Sequence, residues 1–132
     1  IKDLMEIRFL IEPSIAAMAA IRADETDIKN ILTACENTEK LLLANKNHAE
    51  KDIAFHTAIA LSSKNIVVPK LVPIINSSIP LIRESAKFTM RDETIEIHRE
   101  IADAIAAHDA VRAHDAMYLH LIYNRKHIKS IN

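Results

Sequence analysis

The sequence predicts an all-α protein, an antiparallel bundle of about six helices, and three observations carry that expectation. Apolar residues recur at three- and four-residue spacings along nearly the whole chain, the period of a helix with one buried face. Glycine is absent, whereas hairpin turns and phosphate-cradling loops both lean on its access to positive φ. Aromatic residues make up 4% and tryptophan is absent, so the core has to be built from Ile, Leu, Ala, Val and Met.

The helices can be placed in order. Residues 2–22 form the first, with Leu4, Ile7, Ile11, Ile15 and Met18 on one stripe and a kink expected at Pro13. Asp24 is placed to cap the second, with Asp27 three residues on in place of the usual capping-box Glu. Its stripe is Ile28, Ile31, Leu32, Cys35 and Leu42, and it runs to about Ala44. A third helix spans about Asn47 to Leu61, and Ser62-Ser63-Lys64-Asn65 breaks the chain. Residues 66–89 are apolar but hold Pro69, Pro73 and Pro80, which predicts a fourth helix that is kinked or split. Asp92 is placed to cap a fifth helix running to about Ala107, and Asp109 a sixth running to about His127. No strand pattern, repeat, low-complexity segment or linker interrupts this order. Short connections favour antiparallel neighbours.

At 132 residues the chain is one domain, and 49% hydrophobic against 27% charged residues marks it as globular. The net charge of −1 and the lack of a basic run beyond Arg125-Lys126-His127 argue against a nucleic-acid-binding module. A single cysteine, Cys35, forms no internal disulfide and no zinc ribbon, so the expected compartment is the cytoplasm. The apolar stretches stop short of the roughly 20 residues that a membrane span requires, and no signal peptide is visible. The chain opens on Ile and not Met, and is expected to be a piece of a longer protein.

Four polar residues lie on apolar stripes. Asp52 and His56 are four apart on helix three, one turn apart on the face they share with Phe55 and Ile59. His98 sits in the stripe Ile95, His98, Ala102, Ile105 of helix five, and His120 in the stripe Ala113, Met117, His120, Leu121, Asn124 of helix six. Helices five and six turn near His108 and Asp109, with the two histidines at similar distances on either side. At about 1.5 Å per residue both lie roughly 16 Å from that turn and face each other at one level. Burying such groups unpaired costs several kcal/mol, in order of magnitude. Either each finds a partner of its own or the set shares a divalent cation, and imidazole with one carboxylate suits Zn, Ni, Cu or Fe. His48, His108, His114 and His127 lie at helix ends, turns or more polar faces and read as structural, and Cys35 reads as a small core hydrophobe.

Four segments resemble one family. Asp52-Ile53-Ala54-Phe55-His56 is similar to the D-x-x-F-H motif of the C-terminal effector domain of FadR-type GntR regulators, the FCD domain. His98 to Ile105 resembles its H-x-x-I-x-x-A-I, and Met117 to Leu121 its M-x-x-H-L. Arg8-Phe9-Leu10-Ile11-Glu12-Pro13, with Ala19-Ala20 downstream, resembles its opening R-x-x-(apolar)-E-P. Order and spacing hold across essentially the whole chain. The departures are Lys64 and His108, where the family often carries glycine.

The resemblance implies a metal held by Asp52, His56, His98 and His120, with open positions left for water or an effector, and a winged-helix DNA-binding domain ahead of residue 1. Residues 1–132 are then an effector-binding and dimerisation domain of a transcription regulator, not an enzyme. Zinc or nickel is the expected metal, a small carboxylate the expected effector, and a homodimer the expected assembly, with DNA reached only through the absent domain. Arg8 is the first candidate to pair with the effector, with Arg83 and Arg99 behind it; the plainer reading of Arg8 is a surface residue paired with Glu12 at i+4. The alternative function is a metal-dependent hydrolase of helical-bundle (HD-like) type, which the His114-Asp115 pair brings to mind but whose further ligands find no match. A di-iron bundle is disfavoured because no His has a Glu three residues before it, and a bundle with no ligand is the remaining rival.

Overall fold

The computed structural model describes residues 1–86 and 91–129, except the side chains of 82–86 and 127–129. Six helices account for nearly all of it: α1 Lys2–Arg22, α2 Glu25–Leu43, α3 Ala49–Ser62, α4 Val68–Ala86, α5 Arg91–Ala106 and α6 Ala110–Lys129. No strand occurs among the described residues. Helices α2 and α3, α3 and α4, and α5 and α6 pack on each other, and α1 lies not against α2 but against α3, α4, α5 and α6. The result is the antiparallel bundle that the periodicity predicts. Among the described residues no helix is long and apolar enough to cross a membrane.

The helix ends follow their sequence signals with one exception. The Asp27 amide donates to Asp24 Oδ1 at 2.8 Å and the Asp24 amide to Asp27 Oδ2 at 3.0 Å, a complete capping box. Asp109 Oδ1 accepts from the Arg112 amide at 3.1 Å at the start of α6. Asp92, expected as a cap, lies inside the first turn of α5 instead, where its charge still suits the positive end of the helix dipole.

The fourth helix is a single run, not two pieces. Pro69 falls in its first turn, where a missing N–H breaks no intrahelical bond. Pro69, Pro73 and Pro80 are spaced by four and seven residues, so they share one stripe, and all three are exposed. The opposite side buries Val68, Val72, Ile75 and Ile79. Carbonyls that lose a helical donor can be hydrated on such an outer face, so the helix continues.

The core is built of Ile31, Phe55, Ile59, Ile101, Ile105 and Met117 with small alanines between them. On α1 the buried stripe is rotated from the predicted one. Met5, Arg8, Glu12, Ile15, Ala16 and Ala19 point inward, Leu4, Ile11 and Met18 are only partly buried, and Ile7 is exposed. Two charged residues displace isoleucine from the interior because they neutralise each other there and meet further polar partners.

Candidate metal centre

Asp52 and His56 occupy successive turns of α3, and both are buried. His98 on α5 and His120 on α6 are also buried, so the candidate side chains come from three helices. The ring centroids of His56 and His120 are 5.4 Å apart, those of His98 and His120 5.0 Å, and those of His56 and His98 6.3 Å. One ring nitrogen from each of the three imidazoles falls within 4.8 Å of the others. Asp52 Oδ1 lies 3.4 Å from His56 Nε2 and 3.6 Å from His98 Nε2. Phe55, between Asp52 and His56 in sequence, is fully buried and sets its ring 4.8 Å from that of His98.

A second polar layer lies behind His56. Glu12 Oε1 accepts from His56 Nδ1 at 2.8 Å, while Glu12 Oε2 accepts from Arg8 Nε at 2.5 Å. Arg8 NH1 donates to Ser78 Oγ on α4 at 3.2 Å. Arg8 is fully buried, so the surface reading of it is wrong although its pairing with Glu12 is right. With Nε and NH1 engaged, NH2 is buried without a hydrogen bond.

The electrostatics follow from this packing. Burial alone would raise the Glu12 carboxyl, but Arg8 and then His56 bring it down to about 2. Asp52 is likewise opposed by burial and is held well below the usual carboxylate range by His56, His98 and His120. Burial pulls His56 down, yet Glu12 and Asp52 outweigh it and raise this imidazole to about 9. His120 has no carboxylate so close; burial, then His98 and His56, push it well below its ordinary value. With no ion bound, the two carboxylates favour a protonated His56, whose proton a metal would have to replace, while His120 is kept neutral, the form in which imidazole binds a metal.

The donor set fits a divalent ion. Asp52 Oδ1 and His56 Nε2 are both buried and face each other at 3.4 Å, too long and poorly aligned for a good hydrogen bond, so each keeps bonding capacity that a core seldom leaves unused. Imidazole nitrogen and carboxylate oxygen are the ligands that zinc and its neighbours take. His56 also hands its other ring nitrogen to a carboxylate, as metal-bound histidines almost always do. Asp52, His56, His98 and His120 are the residues that would hold the ion.

The remaining candidates sit elsewhere. Arg99 is exposed and pairs with Glu39 at the surface. Arg83 falls outside the described side chains, as does His127. His114 bonds Asp115 at 3.0 Å on the exposed side of α6, apart from the buried cluster, which removes the pair that favoured a hydrolase. His48 is the buried residue at the start of α3, and His108 Nδ1 donates to the Ala20 carbonyl at 2.9 Å. Glu12 and Ser78 were not among the predicted site residues. The i,i+4 spacing of Arg8 and Glu12 just before a proline was the available signal for Glu12; nothing in the sequence singled out Ser78.

Known proteins share both the sequence pattern and this architecture. The FCD domain family model matches residues 3–122. The chain belongs to the FCD domain family. It is 29% identical over 95% of its length to the uncharacterized HTH-type transcriptional regulator YcbG of Bacillus subtilis, and spans 53% of that protein. It is 34% identical over 92% of its length to the putative L-lactate dehydrogenase operon regulatory protein of Escherichia coli, and spans 48% of it. The solved structure of Streptococcus agalactiae GntR superposes with a TM-score of 0.82 at 35% identity, over 94% of this chain and 57% of that one. This FCD domain thus spans about half the length of the curated relatives it matches.

Proposed function

We propose that this FCD domain is the ligand-sensing part of a transcription regulator, that it holds one divalent metal, zinc or nickel, and that a small carboxylate binds at that metal. The observation that carries the reading is the convergence of Asp52, His56, His98 and His120 from three helices, with Asp52 Oδ1 3.4 Å and 3.6 Å from two imidazole nitrogens. A bound metal would offer open coordination positions to an anionic oxygen. Arg8 supplies the neighbouring positive charge: its NH2 is buried without a hydrogen bond, so it has an unused donor for a carboxylate. The names of relatives point the same way, since one is a putative regulator of an L-lactate dehydrogenase operon and lactate is a hydroxy acid.

The regulatory output lies outside this chain. A winged-helix domain would read DNA, and this domain, with a net charge of −1, would not bind operator DNA by itself. A two-fold operator calls for a homodimer. Ile7, Leu10 and Ile21 recur at helical spacing on the exposed side of α1 and supply apolar surface for it. Effector binding shifts the dimer only to the extent that the carboxylate prefers one of its states.

The experiment is a thermal-shift screen of small organic acids, run on metal-loaded and on chelated protein. Hydroxy acids, sugar acids and dicarboxylates are expected to raise Tm selectively in the loaded form. Stabilisation that survives metal removal would refute binding at the metal.

A further inference from the structure

We propose that Glu12 is the positioning residue of this centre: it sets the tautomer and ring orientation of His56, and Arg8 and Ser78 hold it in place. The inference rests on the metal reading above and goes beyond it, because Glu12 is not one of the four ligands.

The geometry is specific. An ionised carboxylate can only accept a hydrogen bond, so the 2.8 Å contact between Glu12 Oε1 and His56 Nδ1 requires the proton on Nδ1. In the neutral ring that a metal needs, that leaves Nε2 as the atom with the lone pair, and Nε2 is the nitrogen 3.4 Å from Asp52 Oδ1. Without Glu12 the ring could adopt the other tautomer, which would point a proton and not a lone pair at the cluster.

Glu12 is itself fixed at both ends. Its Oε2 accepts from Arg8 Nε, and Arg8 NH1 reaches Ser78 Oγ, whose own hydroxyl donates to the Ile75 carbonyl at 2.7 Å. All three side chains are buried, so water does not compete for these bonds. A chain of hydrogen bonds therefore runs from α4 through α1 to a ligand on α3.

The test compares this chain with its Glu12→Gln variant, using zinc as the probe. Zinc affinity is measured by competition with a chromophoric chelator, and the His56 Nδ1 proton is followed by NMR in the zinc-loaded, nitrogen-15-labelled protein. Loss of such an outer partner weakens metal binding about 10- to 100-fold. We expect a loss in that range together with an upfield move of the Nδ1 proton, a signature that a merely structural role would not produce. Should Glu12→Gln alone fail to fold because Arg8 is left unpaired, the double variant Arg8→Met/Glu12→Gln removes both charges and carries the same two measurements. Unchanged zinc affinity and an unchanged Nδ1 resonance would overturn the role of Glu12 and leave the metal reading intact. A wild-type chain that takes up no zinc or nickel would overturn both.

Discussion

Glu12 and His56 are 44 positions apart in sequence and 2.8 Å apart in the fold. This one contact joins the first helix to the cluster on α3 and explains why two charged residues of α1 are turned inward. Arg8 and Glu12 satisfy each other as an i,i+4 pair, and the second oxygen of Glu12 remains to orient an imidazole. Taken alone, a buried ion pair is weak support for stability. Here it does more, because it also fixes the geometry of a polar site.

Breaking that pair from one side should be severe. Arg8→Met leaves the Glu12 carboxylate buried without its cation and is expected to destabilise the fold by about 3–5 kcal/mol. Arg8→Met/Glu12→Gln should recover much of this, which urea denaturation of both variants would show. The pair also predicts acid sensitivity. The Glu12 pKa is lowered in the fold from an ordinary 4.5 to about 2, so its stabilisation is present above pH 4.5 and is lost as pH falls toward 2. The double variant should lose less stability over that window, and equal losses would contradict the role given to Glu12.

The four-ligand assignment has its own test. Elemental analysis after gentle purification should find about one metal per chain in the wild type and little in His98→Ala/His120→Ala. At a hundredfold excess over Kd, metal that binds only the folded state adds about 2.7 kcal/mol, worth roughly 10 °C in Tm for a domain of this size. Chelation should remove that increment from the wild type and change the double variant little. Stoichiometric metal in both proteins would sink the assignment.

Much of this was legible in the sequence because helical periodicity is a local property. The stripes on α3, α5 and α6 place Asp52, His56, His98 and His120 inward, and the two near-equal distances from the His108 turn put the last two at one level. The α1 stripe was not legible in the same way. Counting apolar residues favours Ile7, whereas the fold buries Arg8 and Glu12, whose partners Ser78 and His56 lie on other helices. Long-range polar pairing leaves no periodic trace. The fourth helix shows the reverse case: the spacing of its prolines already places them on one face, but a reading of each proline as a break conceals it.

Cys35 should be chemically silent. Burial first, and then the nearby Glu39 and Asp103 carboxylates, push its thiol up to about 11. The thiolate is the reactive form. Alkylation of the native protein at pH 8 should therefore be slow, and should accelerate about tenfold per pH unit toward pH 11 for as long as the fold persists. Denatured protein should react at the rate of an ordinary thiol. Rapid native labelling at pH 8 would show that the α2 face bearing Cys35 opens more readily than its packing implies.

The chain ends three helices in the left-handed region without a glycine: Asn45, Lys64 and His108 have φ of 55°, 57° and 55°. Glycine is the usual residue at such positions because a Cβ costs roughly 1–2 kcal/mol there. At His108 the side chain offsets part of that cost through the 2.9 Å bond from Nδ1 to the Ala20 carbonyl, which ties the α5–α6 turn to α1. Replacing His108 with Ala or with Gly removes this bond in both cases, but only Gly also relieves the positive φ. His108→Ala is expected to be destabilised by about 1 kcal/mol relative to wild type, the order of one lost hydrogen bond. His108→Gly should be close to wild type and about 1 kcal/mol more stable than His108→Ala. Urea unfolding of the three proteins measures both differences. An alanine variant as stable as the glycine variant would mean that residue 108 does not hold a positive φ in solution, and that the turn setting His98 and His120 at one level is shaped in another way.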